Sequence, residues 1–438
     1  MIMLAVDHCA KVARHLICFR MKLCLSLVLL LPALLSAEFC GTPTDPSMSS
    51  IRPNLYRGQQ EFSVAMLDAI RKATPNENVF FSPYSTYHAL LLAYFGATGE
   101  TEQELTKTLR LSWAPSKEAV RSAYRTEKQA RALRAKEMPL EFSSADRLYF
   151  DNQVSLASCL DSRLHDEIVQ LNIRDNAELT RQQINSWIAN VTHDQIKDML
   201  AAGDIDSRTQ LVLANAAYFK GQWSSRFNAD KTEQMLFYTS SENYSFVPMM
   251  KQKGNFLLNP DERLGAHVLQ LPYRTSMKET DEDSDISMVI ILPPFNTDAL
   301  ERVLAKLNAE TLEAALKEAS SREIEVSLPK FEFEQRLELV PILREMGINQ
   351  IFDSNASFND FSTEQSINFG DAKHMAKIKV DEEGSVAAAA TVLVSFRSAR
   401  PIEPTKFECN HPFVFLIYDH KASAILFTGI YRDPKTMK

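Results

Sequence analysis

The chain has 438 residues, 24% charged and 45% hydrophobic, which is ordinary for a folded protein holding one large domain or two medium ones. A net charge of −8 and a sequence pI near 5.7 give no reason to expect a nucleic-acid partner.

Residues 21–37, MKLCLSLVLLLPALLSA, have a basic start, an apolar run and small residues at Ser36 and Ala37. That pattern reads as a secretory signal peptide cut after Ala37. Its apolar run is shorter than the roughly 20 residues a membrane span needs, so no membrane association is expected. Met1 and Met21 are both candidate starts, and residues 1–37 together form the signal region. Past it, residues 45–438 show no repeat or low-complexity linker, and residues 38–438 are expected to form a single domain. Cys9, Cys18 and Cys24 leave with the signal region, and Cys40, Cys159 and Cys409 remain. An odd, widely spaced set is neither a disulfide framework nor a zinc pattern. It permits one bridge with a thiol left over, and core packing is the expected role of Cys159. No metal and no cofactor is expected. Three sequons, at Asn190, Asn243 and Asn355, are candidate N-glycosylation sites and agree with export. The first sits in a helical pattern, which disfavours its use.

The first half reads mainly helical. Residues 61–72 are amphipathic, with Phe62, Ala65, Met66 and Ile70 on one side. Residues 82–97 begin with Ser82 as a cap and Pro83 at the first turn, and their long apolar face predicts a deeply buried helix. Further helices are expected over 101–109 and 116–136. Strand patterns then dominate. LVLANAAYF, 211–219, is a continuous apolar run of central-strand type. Residues 267–273, 286–293, 323–334 and 413–419 are further strands, with helices near 297–307 and 337–347. The mixture predicts an α+β fold around large sheets.

Near the C-terminus, residues 385–396, SVAAAATVLVSF, hold twelve positions without a charge or a proline. Each absence suits a strand buried in a sheet. Proline would remove a ladder hydrogen bond, and an unpaired buried charge costs several kcal/mol. Alternation puts Ser385, Ala387, Ala389, Thr391, Leu393 and Ser395 on one side and Val386, Ala388, Ala390, Val392, Val394 and Phe396 on the other. Backbone hydrogen bonds at about 1 kcal/mol each would contribute roughly 10 kcal/mol over such a strand. Gly384 before it supplies backbone freedom for a turn.

Several stretches resemble the serpin family in order and spacing over residues 52–434: NVFFSPYSTYHALLLAYFGATGETEQEL, INSWIANVTHDQIKDML, LVLANAAYFKGQW, VPMMKQKGNF, LPKFEFEQRLEL and HPFVFLIYDHKASAILFTGIYRDP. The resemblance implies about nine helices and three β-sheets, with an exposed reactive loop near residues 382–405. It implies a monomeric protein that is no enzyme. Instead it inhibits a serine protease by offering the loop as bait and inserting the severed loop into the main sheet. Glu382, Glu383, Gly384, Ser385, Val386, Ala387, Ala388, Ala389 and Ala390 form the hinge, and its small uncharged residues match inhibitory members. The alternative is a non-inhibitory carrier, storage protein or chaperone, whose hinges often carry bulky or charged residues. Side-chain chemistry favours Arg397–Ser398 as the reactive bond, since arginine fits the acidic pocket of trypsin-like proteases. Family counting favours Ser398–Ala399 instead, and Pro401 disfavours Arg400. The resemblance also places Ser82, Ser85, Asn215 and His374 where the main sheet must open, and Trp223 and Lys330 where the loop enters. Finally, Arg121, Arg125, Lys128, Arg131 and Lys136 fall within roughly 140° of one helix face. That stripe is a candidate site for a heparin-like glycosaminoglycan, and the alternative is a solvated face.

Overall fold

The computed structural model describes residues 52–276, 284–363, 367–383 and 404–436, which all lie in one compact unit, Thr44–Lys438. Helix α1, Arg52–Ala73, starts before residue 61 because Leu55 and Tyr56 extend its buried face. Strand β1, Val79–Phe81, leads to helix α2, Pro83–Gly96, whose 14 residues are all buried. Ser82 caps α2 by accepting from the Ser85 N–H. Helices α3, Gly99–Thr108, and α4, Lys117–Ala135, follow.

Here the helical first half is interrupted. Strand β2, Glu141–Asp151, single-turn helix α5, Leu160–Arg163, and strand β3, Ile168–Leu171, precede helix α6, Ala177–Val191. Polar residues Ser143, Ser144, Asp146 and Arg147 hide the strand period of β2, yet β2 is interior to a sheet. The second half runs β4, Leu211–Lys220; β5, Glu233–Tyr238; β6, Tyr244–Asp261; β7, Ala266–Pro272; and β8, Ile286–Leu292. Helices α7, Ala299–Lys306, and α8, Ala309–Lys317, come next. The expected strand over 323–334 is two strands, β9, Ser320–Pro329, and β10, Phe331–Glu338, in different sheets. Lys330 lies between them and donates its N–H to the Pro248 carbonyl at 2.8 Å, so the chain changes sheets there. Helix α9, Leu339–Glu345, and strands β11, Ala372–Val380; β12, Thr405–Glu408; β13, Phe413–Asp419; and β14, Ala424–Tyr431, complete the fold.

Among the described residues the strands form two ladders. The five-stranded sheet has the order β10-β11-β4-β2-β3. The nine-stranded one runs β1-β14-β13-β8-β7-β6-β9-β12, with β5 on β6. It joins two of the three sheets expected, because the 18-residue β6 serves both parts. Its first residues pair β5, its middle pairs β9 and its end pairs β7.

The main core lies between the two sheets, where Phe80 stacks on Phe333, Phe415 and Phe427. On its other face the five-stranded sheet is covered by α6, through Ile184 and Ile188 against Ala145, Tyr149, Val212, Ala214 and Ala216. Both faces of β4 are therefore buried, which explains an apolar run from Leu211 to Phe219 broken only by Asn215. The result is the expected α+β fold.

Candidate functional site

Strands β4 and β11 are parallel neighbours in the middle of the five-stranded sheet, in register from Leu213–Ala372 to Phe219–Ile378. Antiparallel partners flank both, β10 on β11 and β2 on β4. The seam between them is the parallel pair in this sheet that has antiparallel pairs on both sides.

A polar cluster bridges the seam from beneath. Asn215 of β4 lies opposite His374 of β11 on one side and Asp146 of β2 on the other. His374 Nε2 accepts the Ser82 N–H at 2.9 Å, so the ring proton sits on Nδ1 and is donated to Asn215 Oδ1 at 2.5 Å. Burial holds this imidazole neutral, with its pKa pushed down to about 3. Asn215 Nδ2 donates to Ser85 Oγ and to Asp146 Oδ1, each at 2.6 Å. Asp146 also accepts from Ser85 at 2.7 Å and from Ser144 at 2.5 Å. Burial pushes its carboxyl up to about 6, against the opposing hydrogen bonds from Ser144, Ser85 and Asn215. Ser82 reaches β14 as well, donating to the Leu426 carbonyl at 2.7 Å. The cluster thus ties α2, β2, β4 and β11 together, with the Asn215 amide as its hub.

A second set of bonds closes the upper end of the seam. As β4 ends, Gly221 lets the chain pass the Tyr273 ring, which a Cβ there would meet at 2.5 Å. The chain then presents Trp223, stacked on Tyr273 at 4.4 Å, and its indole N–H donates to the Asp381 carbonyl at 2.9 Å. Glu382 is buried next to it. Its carboxylate accepts from Thr232 Oγ1 at 2.8 Å and from Lys330 Nζ at 2.7 Å, and its carbonyl accepts the Phe227 N–H at 3.2 Å. Desolvation opposes ionisation of Glu382, but the Lys330 ammonium and the Thr232 hydroxyl outweigh it and hold the carboxyl below its ordinary range. The turn leaving β11 is therefore clamped at residues 381 and 382.

Ser82, Ser85, Asn215 and His374 are thus in one network, and Trp223, Lys330, Glu382 and Glu383 lie at one end of the seam, where the Glu383 N–H donates to Asp381 Oδ1 at 3.2 Å. Sequence reasoning missed Asp146, Ser144, Thr232 and Phe227. A signal existed for the first two: with residues 141–151 read as a strand, Ser144 and Asp146 share one side with Phe142 and Leu148. Gly384, Ser385, Val386, Ala387, Ala388, Ala389, Ala390, Arg397, Ser398 and Ala399 lie outside the described residues, as does the signal region.

The basic stripe on α4 is divided by the fold. Arg121 is buried and donates to Glu118 at 2.8 Å. Arg131 lies over the Tyr84 ring at 4.3 Å, near Glu127 and Asp419. Lys128 is half-exposed but paired with Glu167. Arg125, Lys128 and Lys136 are the members of the stripe that face outward. The structure corrects the reading of Cys159 as a core thiol, because it is disulfide-bonded, while Cys409 is free and buried. Asn190, Asn243 and Asn355 are all exposed. Asn190 is in the last turn of α6, and its sequon hydroxyl, Thr192 Oγ1, is buried and donates to the Ile188 carbonyl.

A model of the family described as serpin (serine protease inhibitor) matches residues 57–434. The chain is 61% identical over 423 residues to Serine protease inhibitor 88Ea of Drosophila melanogaster, covering 95% of this chain and 99% of that one. It is 30% identical to Serpin B3 of Homo sapiens, covering 87% of this chain and all of the other. A solved structure of uncleaved ovalbumin superposes with a TM-score of 0.75 at 26% identity, over 87% of this chain and 100% of that one.

Proposed function

The chain belongs to the serpin family of serine protease inhibitors, and from that premise we propose that it is a monomeric, extracellular suicide inhibitor of trypsin-like serine proteases. The observation that carries the proposal is the latched seam between β4 and β11. Strand β11 leads straight into the hinge, so a segment that folds back at residues 382–384 enters antiparallel to both strands. Residues 385–396 have the composition that such a position demands.

In this mechanism the protease serine attacks the Arg397 carbonyl and the bond to Ser398 breaks, leaving an acyl-enzyme. The freed segment enters the seam, and its new hydrogen bonds drive the attached protease to the far end of the sheet. Distortion of the protease active site then stalls deacylation. Arg397 fits an acidic specificity pocket. Export is supported by residues 21–37, by three exposed sequon asparagines and by the disulfide at Cys159, which an oxidising compartment would preserve. A heparin-like chain, if one binds, would meet Arg125, Lys128 and Lys136 rather than the whole stripe.

Incubation with trypsin and an elastase-like enzyme tests the proposal. The expected products are an SDS-stable complex with trypsin and a released peptide whose mass begins at Ser398. A peptide beginning at Ala399 moves the bond by one residue. Plain cleavage without a complex, or a melting temperature that cleavage does not raise, refutes the inhibitory reading.

A further inference from the structure

The link from α6 to β4, residues 192–210, is fastened on both sides of the seam. The first hold is on α6. The buried Asn185 amide donates to the Leu200 carbonyl and accepts the Leu200 N–H, each at 2.9 Å, and Arg181 donates to the same carbonyl at 2.8 Å. Ile196, Met199 and Leu200 are buried in the cluster that α6 makes with β2 and β4. Trp187 of α6 adds a grip on β2, with the Arg147 guanidinium 4.2 Å from the centre of its ring. As far as Leu200 the link therefore belongs to the side of the sheet that carries β4.

The second hold is on the other side. Four residues on, Asp204 Oδ1 accepts from Lys373 Nζ of β11 at 2.8 Å, and Asp204 Oδ2 accepts from Arg336 of β10 at 2.7 Å. The Ala201 N–H donates to the same carboxylate at 2.7 Å and orients it. The Asp204 side chain is 14% exposed and that of Lys373 11%, so this pair is less weakened by water than one on the surface. Desolvation opposes ionisation of Asp204, but Lys373, the Ala201 N–H and Arg336 outweigh it and hold the carboxyl below its ordinary range. The chain then turns through Asp206 and Thr209 and starts β4 at Leu211. A cavity of about 330 Å³ lies between this crossing and the first residues of both strands, lined by Leu200, Asp204, Leu213, Gly370, Asp371 and Lys373.

The two kinds of ion pair here differ in what parting the seam does to them. Lys377 of β11 pairs with Glu334 of β10 at 2.9 Å, inside the β10–β11 ladder, so that bond survives. The bonds of Asp204 join the link on the β4 side to β10 and β11, so they are lost. They also differ from the Asn215 network, which closes the core face of the seam through a neutral imidazole. Lys373 precedes His374 in β11 and so points to the opposite face.

We propose that Asp204 is a clasp on the outer face of the seam, whose ion pairs with Lys373 and Arg336 break before β4 and β11 part and so set how fast the seam opens. This rests on the reading of the seam as the place of insertion. Asp204 is a positioning residue, since it acts only through the strands it holds together.

Hydrogen exchange on the full chain tests the proposal, read at the backbone amides of residues 213–217 and 372–376, with residues 413–431 as reference. Asp204→Asn keeps an acceptor for the Ala201 N–H and removes the charge. It is expected to speed exchange on both strands about tenfold and to leave the reference unchanged. Raising sodium chloride from about 50 to about 500 mM is expected to speed opening in the unsubstituted protein and not in Asp204→Asn, because salt stabilises the separated charges. Lys373→Gln/Arg336→Gln should reproduce the effect, and adding Asp204→Asn to that pair should change nothing further. Asp206→Asn, in the same turn but paired with Arg208 two residues on, should exchange like the unsubstituted protein. Exchange in Asp204→Asn within about twofold of the unsubstituted protein overturns the proposal. So does an equal gain in Asp206→Asn, or a salt response that persists in Asp204→Asn. Incubation with trypsin separates the two readings: if the unsubstituted protein forms no SDS-stable complex, the inhibitory reading fails, and the exchange rates still decide whether Asp204 clasps the seam.

Discussion

Replacing Asn215 by alanine removes the hub of the network under the seam. Its side chain is fully buried and takes part in three close bonds, two from its amide nitrogen and one to its oxygen from His374. Alanine leaves the His374 Nδ1–H without an acceptor inside the protein, at about 1–3 kcal/mol. It also takes one donor from the Asp146 carboxylate, at about 1.5–3 kcal/mol, so the expected loss is roughly 3–5 kcal/mol. With an unfolding entropy of about 2.1 cal/mol/K per residue over a domain of this size, that is a fall of roughly 4–6 °C in the melting temperature of the uncleaved protein. Circular dichroism melts at pH 7.5 would measure it. The same substitution should speed the uptake of a synthetic 385–396 peptide into the sheet, because the latch between β4 and β11 is gone. A melting temperature within 1 °C of the unsubstituted protein, together with unchanged peptide uptake, would refute the latch.

Two further outcomes follow from the charges. Asp146 has its pKa raised in the folded protein, so between about pH 4 and 6 the native state holds a proton that the unfolded chain has lost; its contribution to stability therefore falls as pH rises through that window. Asp146→Asn, whose amide can still accept from Asn215 and donate to Ser144, should flatten this slope in melts taken from pH 4 to 7; a slope equal to that of the unsubstituted protein would count against it. Arg131→Ala should lower the melting temperature by several degrees, because Glu127 and the fully buried Asp419 lose a partner. Arg125→Ala and Lys136→Ala should leave it within 1 °C, and any retention on heparin should depend on those two and not on Arg131.

Much of the fold was legible because burial on every side leaves a plain trace. The largely apolar runs at α2, interrupted by Ser85, Thr86 and His88, and at β4, interrupted by Asn215, read as interior elements. Strand β2 was hidden for the opposite reason: Ser144 and Asp146 sit at interior positions to serve the polar network, and this breaks the pattern that would reveal the strand. The division between β9 and β10 was also illegible, because a local run of alternating residues cannot tell which sheet each half joins. For α4, helical periodicity groups five basic residues within one arc, which the fold divides into buried Arg121, partly buried Arg131 and exposed Arg125, Lys128 and Lys136. What it could not supply were Glu167 and Asp419, acids from other elements that cover part of that side.

The proposed mechanism requires a seam that is firm yet open to exchange, and the composition of this seam fits that requirement. Its backbone pairing brings Ala214, Ala216 and Ala217 of β4 beside Lys373, Met375 and Ala376 of β11. Over this stretch the alanines bury little apolar area against their neighbours, so parting it forfeits little hydrophobic stabilisation, and the large apolar pair, Phe219 opposite Ile378, lies at the end of the register. What holds them is a parallel ladder and a polar latch, both made of directional bonds. An incoming antiparallel strand replaces one ladder with two, and the antiparallel form is slightly the more stable per residue. A seam closed instead by interlocking leucines and phenylalanines would resist opening in proportion to the area buried, and no arriving strand of small residues could repay that loss. On the proposed mechanism the alanines of β4 and the uncharged residues of 385–396 would meet one physical requirement from opposite sides: the gap must open at low cost, and the strand that fills it must bring its hydrogen bonds without bulk or charge.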